Sequence, residues 1–455
     1  NVEWSQELKV FESFDEYLRA WVLIHALHRK LGFPGDSPGM IFNMSVGYNL
    51  EGIKQPNVQW YFDAMADASP YKQAYVDIVA ERYPEIREID IPDTVSDTIT
   101  QSTMHGCPPD EIEAIVLYLL NERRIHYSVK CCPTLLGSDR VRGIVNDDLG
   151  FADIPVPDEA FGHDLKYIDA VPMFHNLRRV ARANDLVFGL KLTNTLEVEN
   201  HRPVFDRDEM MYMSGRSLHA VTTNLALRLS EEFKGDMLLS FAGGADAFNV
   251  ADLMRSGMTT ITVCSDLLKT GGYLRFPQYI EELNRAMDAA GADTLPDFVA
   301  NTAVAQENMT DFVPLLAYSS LTESGLNLSA EQAVALSERL RYETGGESPI
   351  AVIDAWAGEN GFDDGRTAVV VELAINALKR VNLRQYAQFV RTDWRYKKGS
   401  FRTDRSKTDR ALHLFDCIEA PCVDECPIDQ DVPAYMRAVR EGDFARAVAI
   451  TRTDN

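Results

Sequence analysis

Three cysteines near the end of the chain are the residues best suited to chemistry. Cys417, Cys422 and Cys426 fall within ten positions, and Pro427 follows the last of them. An iron–sulfur cluster is small, so one short loop has to present several thiolates, and the C-x4-C-x3-C-P spacing presents three. The spacing favours an iron–sulfur site whose remaining ligand lies outside this stretch. A zinc site that includes His413, or three unrelated thiols, are the alternatives, although zinc loops usually have C-x2-C spacing.

Further polar residues lie at the ends of predicted strands. Cys107 precedes a predicted helix, whose N-terminal N–H groups predict a lowered thiol pKa and a proton donor or acceptor. Lys130 interrupts an otherwise apolar strand, which predicts contact with an anionic cofactor or substrate group. Asn194 and Thr195 offer an amide and a hydroxyl group at another strand end. The structural alternatives are a buried cysteine in a turn, a lysine that reaches water and an ordinary turn.

Two consecutive strand ends predict a phosphate site. One strand ends in Gly243 and Gly244, and the next ends at Cys264 and Ser265. The last two strands of a (β/α)8 barrel commonly present backbone N–H groups to a phosphate in this way. For Gly243 and Gly244 alone, an ordinary tight turn is the alternative.

The elements that must position these residues follow an α/β rhythm. Short apolar, β-branched runs alternate with amphipathic helical patterns such as residues 109–123. This alternation predicts a parallel sheet with the active groups at the carboxyl ends of its strands. The predicted strands are residues 39–46, 97–103, 125–132, 186–193, 237–244 and 259–265.

The strand rhythm stops after residue 290, where helical patterns over 297–345 and 366–392 follow. A stretch with eight Lys or Arg in twenty residues comes next and predicts a solvated basic linker. We therefore predict four parts. These are a barrel over 1–295 that lacks its N-terminal strands, a helical extension over 296–390, a basic linker over 391–410, and the start of a helical iron–sulfur domain over 411–455.

The overall charge argues against two classes of partner. Lys and Arg number 45 against 69 Asp and Glu, and the net charge of −24 opposes nucleic acid and anionic membranes. No apolar run approaches the roughly 20 residues that cross a bilayer, and no signal-peptide pattern opens the chain. We expect a cytoplasmic protein. Because the chain opens at Asn1 with a helical pattern and no strand before it, we also expect a fragment.

Five segments resemble a known family. They are "STMHGCPPDEIEAI", "VKCCPTLLG", "GLKLTNT", "SFAGGADAFNVADLMRSGMTTITVCSDLLKTG" and "LFDCIEAPCVDECPIDQDVPAYMRAVREGDFARAV". Together they resemble the flavoprotein and iron–sulfur subunit described as a selenate reductase, a relative of dihydropyrimidine dehydrogenase. More distantly, residues 39–290 are similar to dihydroorotate dehydrogenase-type FMN barrels, and residues 411–455 to the iron–sulfur domain of the glutamate synthase small subunit.

The resemblance implies roles for individual residues. Cys107 corresponds to the catalytic acid or base, Lys130 to the strand lysine that approaches the flavin, and Asn194 with Thr195 to the pair beside flavin and substrate. The implied contacts of the FMN phosphate and ring are Ser214, Gly215, Gly243, Gly244, Cys264 and Ser265. The implied 4Fe-4S cluster ligands are Cys417, Cys422 and Cys426.

The resemblance also implies an electron-transfer function. Electrons would pass from NADPH through FAD and 4Fe-4S clusters to the barrel, where FMN exchanges hydride with an unsaturated small molecule. The FAD and NADPH sites would lie in sequence beyond this chain.

Two alternatives stand beside this function. Met104 and Thr134 replace residues usual in the family, and the first barrel strands have no counterpart, which favours a non-catalytic electron-transfer or scaffold subunit. Such a subunit would carry an FMN-free barrel and bind a redox partner of the molybdenum hydroxylase type. A zinc-stabilised aldolase-type barrel with Lys130 as a Schiff base is the third hypothesis.

Overall fold

The computed structural model divides the chain into two compact units, which are described separately. Unit 1 comprises Asn1–Ser138, Asp158–Asn194 and Arg228–Phe241, and unit 2 comprises Asp139–Pro157, Thr195–Leu227 and Ala242–Asn455. The predicted domain boundaries at 295, 390 and 410 stay a prediction. The structure describes residues 8–102, 107–200, 210–268, 271–305, 307–317, 325–342, 347–401, 426 and 430–453.

Eight strands lie in the described part of the chain. Six of them confirm the predicted strands, each within narrower bounds, whereas the short pair β5 and β6 was not predicted. The strands are β1 (Met44–Val46), β2 (Thr98–Ser102), β3 (His126–Cys131), β4 (Phe188–Leu192), β5 (Leu196–Val198), β6 (Met211–Met213), β7 (Leu238–Phe241) and β8 (Thr260–Ile261).

Unit 1 is built on a parallel sheet. Its strands pair side by side in the order β1, β2, β3, β4 and β7, and every pair is parallel. Strand β3 shows why the sequence forms this sheet, because its side chains alternate between two faces. Tyr127, Val129 and Cys131 are buried on one face, while Ser128 and Lys130 on the other are partly exposed. The predicted α/β class with a parallel sheet is confirmed.

Eighteen α-helices lie in the described residues. Helix α5 continues as a π-helical turn to Arg123, so the predicted helix over 109–123 is confirmed. The helices are α1 (Val10–Leu31), α2 (Leu50–Ile53), α3 (Pro56–Ala66), α4 (Ser69–Ala80), α5 (Pro109–Tyr118), α6 (Ser138–Arg142), α7 (Asp158–His163), α8 (Tyr167–Ala183), α9 (His219–Glu232), α10 (Val250–Arg255), α11 (Phe276–Ala289), α12 (Leu295–Val304), α13 (Phe312–Ala317), α14 (Ala330–Tyr342), α15 (Pro349–Glu359), α16 (Asp364–Thr392), α17 (Val432–Arg440) and α18 (Phe444–Thr453).

Unit 2 has a helical core formed by α12 to α16. The fully buried side chains of Phe312, Leu336 and Val370 belong to one apolar cluster, and Trp356 on α15 packs into it. Burial of a large apolar side chain contributes about 1.5–3 kcal/mol, so this cluster is a main source of stability for the unit. The predicted helical patterns after residue 290 are confirmed in the described residues.

The segment after α16 packs closely against the rest of unit 2. Residues 394–396 and 398–400 form two 3-10 turns, and the Tyr396 side chain is only 1% exposed. The described part of the predicted basic linker is therefore ordered by packing on its own unit. Among the described residues, no helix has both the length and the apolar composition needed to cross a membrane.

Candidate cofactor-binding sites

Three loops of unit 2 meet where the sequence predicts a phosphate site. Gly215 has φ +66°, and a Cβ atom there would lie 2.8 Å from Ser265 Oγ. Gly244 has φ +70°, and its Cβ would lie 2.5 Å from the backbone nitrogen of Arg216. Only glycine tolerates both the left-handed backbone and such close approach. We call the group of Ser214, Gly215, Gly243, Gly244 and Ser265 the phosphate cradle.

The phosphate cradle offers hydrogen-bond donors. Among the described residues, the backbone N–H of Gly244 has no hydrogen-bond partner. Gly243 beside it is buried against helix α9, where a Cβ would lie 2.5 Å from Thr222 Oγ1. Glycines that leave backbone N–H groups open around a concave turn are a common way to bind phosphate oxygens. The chemistry of the cradle therefore suits a phosphate group.

A buried histidine hydrogen-bonds to the backbone of the cradle, and the sequence analysis did not predict it. His219 at the start of α9 is fully buried, and its Nδ1 lies 2.8 Å from the carbonyl oxygen of Gly243. Its Nε2 lies 2.7 Å from the hydroxyl of Tyr386 on α16. Burial lowers the pKa of His219 to about 3, so the ring is neutral at physiological pH. No sequence signal pointed to it, because Tyr386 lies 167 positions away.

Asn249 and Cys264 lie next to residues of the cradle. Asn249 directly precedes α10, but its side chain does not bond to the helix N–H groups. Its amide donates instead to the carbonyl oxygen of Gly244 at 3.1 Å and to the Tyr396 hydroxyl at 3.3 Å. Cys264 follows β8 as an exposed free thiol, and the next residue, Ser265, belongs to the cradle.

In unit 1, a polar row crosses the sheet near the carboxyl ends of its strands. Lys130 on β3 lies directly opposite Lys191 on β4, with Ser102 and Ser240 in register on either side. Residues in register on neighbouring parallel strands share one face, about 4.8 Å apart. We call Ser102, Lys130, Lys191 and Ser240 the lysine row. Lys191 was missed, although it gives the same signal as Lys130, a lysine within an apolar strand.

Cys107 and Asn194 also lie in unit 1. Cys107 precedes α5 as predicted, but the predicted pKa direction is wrong. Burial raises the pKa of the Cys107 thiol, and the carboxylates of Glu111 and Asp110 raise it further. Burial and these acidic residues together outweigh the helix N–H groups. Asn194 follows β4, and its backbone N–H donates to the carbonyl oxygen of Cys131 at 2.7 Å. Thr195, the next residue, belongs to unit 2.

One of the three predicted cluster cysteines lies in the described part of the chain. Cys417 and Cys422 lie outside the described residues, and Cys426 is a partly exposed free cysteine. Helices α17 and α18 follow it and pack against each other. Within the described ranges, no group of three or more His, Cys, Asp or Glu side chains is placed to hold a metal ion.

Comparison with known proteins identifies the family. Residues 1–312 match the family described as "Oxidoreductase YgfK, N-terminal TIM-barrel domain". Residues 393–455 match the family of the dihydropyrimidine dehydrogenase domain II with a 4Fe-4S cluster. The predicted barrel and 4Fe-4S domain are thereby confirmed. The zinc-stabilised aldolase hypothesis gains no support from either match.

Two curated relatives cover nearly the whole chain. Each is named "Putative oxidoreductase YgfK", one from Escherichia coli strain K12 and the other from Escherichia coli O157:H7. Each is 33% identical over 99% of this chain, and the chain spans 37% of the length of either relative. With a matching barrel, a matching 4Fe-4S domain and these relatives, the chain belongs to the YgfK family of oxidoreductases.

Proposed function

We propose that the intact protein is an iron–sulfur flavoprotein that carries electrons from NADPH through FAD and 4Fe-4S clusters to FMN in the barrel. The observation that carries this proposal is the phosphate cradle, in which Gly215 and Gly244 accept no side chain. FAD and NADPH would bind in parts of the intact protein outside these 455 residues. Selenate, which the resemblance names, is one proposed electron acceptor.

The phosphate cradle would bind the FMN phosphate. The N–H of Gly244 and the hydroxyl of Ser265 would donate to phosphate oxygens, with Ser214 and Gly215 beside them. Exposed Cys264 would lie at the edge of the bound cofactor. Bound FMN supplies hydride exchange with an unsaturated small molecule.

The residues of unit 1 would handle charge and protons. Lys130 and Lys191 would stabilise negative charge on an anionic group bound at this face of the sheet, because the two lysines lie side by side on it. Cys107 would donate a proton, since its raised pKa keeps the thiol protonated at neutral pH. Asn194 would provide a polar contact at the end of β4, and Thr195, the first residue of the next segment of unit 2, would provide a hydroxyl group.

The cysteines of the 4Fe-4S domain would hold one edge of a cluster. Cys417, Cys422 and Cys426 would each provide a thiolate, and the fourth ligand would come from elsewhere in the intact protein. The match of residues 393–455 to a 4Fe-4S domain supports this assignment.

Anaerobic purification of the intact protein tests both cofactor assignments. Acid extraction and chromatography should release FMN together with FAD, and the iron and sulfide content should match at least one 4Fe-4S cluster. A triple Cys417→Ser, Cys422→Ser and Cys426→Ser variant should lose a reducible paramagnetic signal and keep FMN. The Gly244→Ala variant should do the reverse.

The outcomes separate the proposals. FAD without FMN, both as purified and after titration with FMN, would overturn the FMN assignment and favour the FMN-free scaffold. A protein without iron would overturn the cluster assignment. NADPH oxidation that depends on selenate, measured in the absence of oxygen, would support selenate as the acceptor. If NADPH oxidation does not depend on selenate, only the proposed electron acceptor is wrong.

A further inference from the structure

The histidine beneath the phosphate cradle has one possible proton arrangement. The carbonyl oxygen of Gly243 can only accept a hydrogen bond, so the Nδ1 of His219 carries the proton and donates. The Nε2 of the neutral ring then accepts from the Tyr386 hydroxyl. Both ring nitrogens are used, and the side chain is fully buried. His219 therefore fixes the Gly243 carbonyl relative to α16.

A second pair of contacts fixes the neighbouring peptide. The Asn249 amide joins the carbonyl oxygen of Gly244 to the Tyr396 hydroxyl. The Tyr396 ring stacks on His219, with the ring centres 4.5 Å apart and the planes 4° apart. Tyr396 belongs to the segment that matches the 4Fe-4S domain family. Tyr396 therefore contacts both His219, which bonds to the Gly243 carbonyl, and Asn249, which bonds to the Gly244 carbonyl.

The opposite wall of the cradle is held by the same segment. Arg216 follows Gly215, and its Nη2 donates to the carbonyl oxygen of Ser400 at 3.2 Å. Its guanidinium group also lies over the Phe401 ring, 4.5 Å from the ring centre. Because the backbone of Arg216 touches Gly244, a displacement of residues 393–401 would move both walls of the cradle.

We propose that His219, Asn249 and Arg216 are positioning residues. They make the geometry of the phosphate cradle depend on residues 393–401, the first residues of the segment that matches the 4Fe-4S domain family. This inference rests on the proposed binding of FMN at the cradle. It implies that binding of the cofactor phosphate and ordering of residues 393–401 favour each other, since such coupling is reciprocal. Neither His219 nor Asn249 is proposed to touch the phosphate.

Comparison of FMN with riboflavin isolates the phosphate. The intact protein, stripped of flavin, is titrated with each, and quenching of flavin fluorescence gives the dissociation constants. His219→Phe removes both ring hydrogen bonds and leaves the Gly243 carbonyl unpaired, so FMN should bind about tenfold more weakly. Riboflavin affinity should be unchanged. His219→Asn, which keeps a donor at the Nδ1 position, should recover most of the loss.

Two further variants complete the test, a control that should not affect flavin binding and a milder change in the network. His175→Phe, an exposed histidine on α8, should leave both affinities unchanged. Tyr396→Phe keeps the stacked ring and removes only the hydroxyl, so it tests the network even if His219→Phe fails to fold; FMN should bind about threefold more weakly.

A second measurement tests the coupling directly. FMN should slow amide hydrogen exchange across residues 393–401 in the wild type, whereas riboflavin should not. Equal protection by the two flavins, or an unchanged FMN-to-riboflavin affinity ratio in both His219→Phe and Tyr396→Phe, would overturn the inference and leave the proposed FMN site intact. A wild type that binds no FMN would overturn both.

Discussion

The phosphate cradle of unit 2 and the lysine row of unit 1 are both suited to anions, but by different means. The cradle relies on backbone donors and on missing side chains at Gly215 and Gly244. The lysine row relies on two long side chains, Lys130 and Lys191, carried by a regular sheet. A backbone site has almost no freedom to adjust, whereas a lysine can change rotamer. We therefore expect one added methyl group in the cradle to cost more than a whole charge in the row.

The largest effect is expected for Gly244→Ala. The substitution combines a left-handed backbone with a Cβ only 2.5 Å from the Arg216 backbone, which cannot move aside as a side chain could. We expect a loss of roughly 2–5 kcal/mol in the free energy of unfolding and no detectable FMN binding. Chemical denaturation and flavin titration measure the two quantities.

Gly358→Ala is the matched control. Gly358 lies within α15 in the same unit, and nothing lies within 4 Å of an added Cβ. This variant should be as stable as the wild type or up to about 1 kcal/mol more stable, because alanine favours a helix. Equal stability of the Gly244→Ala and Gly358→Ala variants would contradict the tight packing of the cradle.

Lys191→Met tests the lysine row, with a smaller expected effect. The strand should still form, since methionine fills a similar volume, but one positive charge is lost. Hydrogen bonds to charged groups contribute about 1.5–3 kcal/mol, so affinity for an anionic substrate should fall roughly 10–100-fold with little change in stability. Lys54→Met, at an exposed lysine of unit 1, should leave that affinity unchanged and lower stability by about 1 kcal/mol at most, because it removes only a contact with the Tyr118 ring. Full affinity in Lys191→Met would exclude the row from binding.

The ionisation and reactivity of Cys107 in unit 1 should depend on pH in a way that its raised pKa determines. Because its pKa is raised, the folded protein disfavours the thiolate, and this group's contribution to stability falls as pH rises above the ordinary thiol pKa. Alkylation of Cys107, followed by peptide mass spectrometry, should be slow at neutral pH and rise about tenfold per pH unit. The same cysteine in denaturant should react faster at each pH below its raised pKa. Faster reaction in the folded protein would instead indicate a lowered pKa.

The smallest effect is expected for the ion pair between Lys398 and Asp153. It ties the segment after α16 to a loop of the same unit, and both side chains are partly exposed to solvent. Asp153→Asn should lower the free energy of unfolding by less than about 1 kcal/mol, and salt should abolish the difference. A larger loss, or loss of FMN binding, would show that this ion pair helps to hold the cradle.

Local sequence patterns were sufficient to predict the strands and helices and part of the candidate sites. Lys130 and Gly243 with Gly244 stood out because a lysine or a glycine pair at the end of an apolar run departs from the strand pattern. Lys191 carried the same signal, but its significance depends on lying opposite Lys130, which only the strand register decides. The predicted pKa direction of Cys107 was wrong because the helix donors were weighed without the burial of the thiol and without the carboxylates of the first turn.

The sequence by itself determined the strand and helix order, the barrel and 4Fe-4S resemblance, and the glycines of the cradle. Periodicity and special backbone requirements are local properties that a chain displays residue by residue. Only the tertiary structure decided that His219 bonds to Tyr386 and stacks on Tyr396, and that Arg216 bonds to Ser400. Such contacts join residues more than 160 positions apart, and ordinary buried histidines and tyrosines give no sequence signal of their partners.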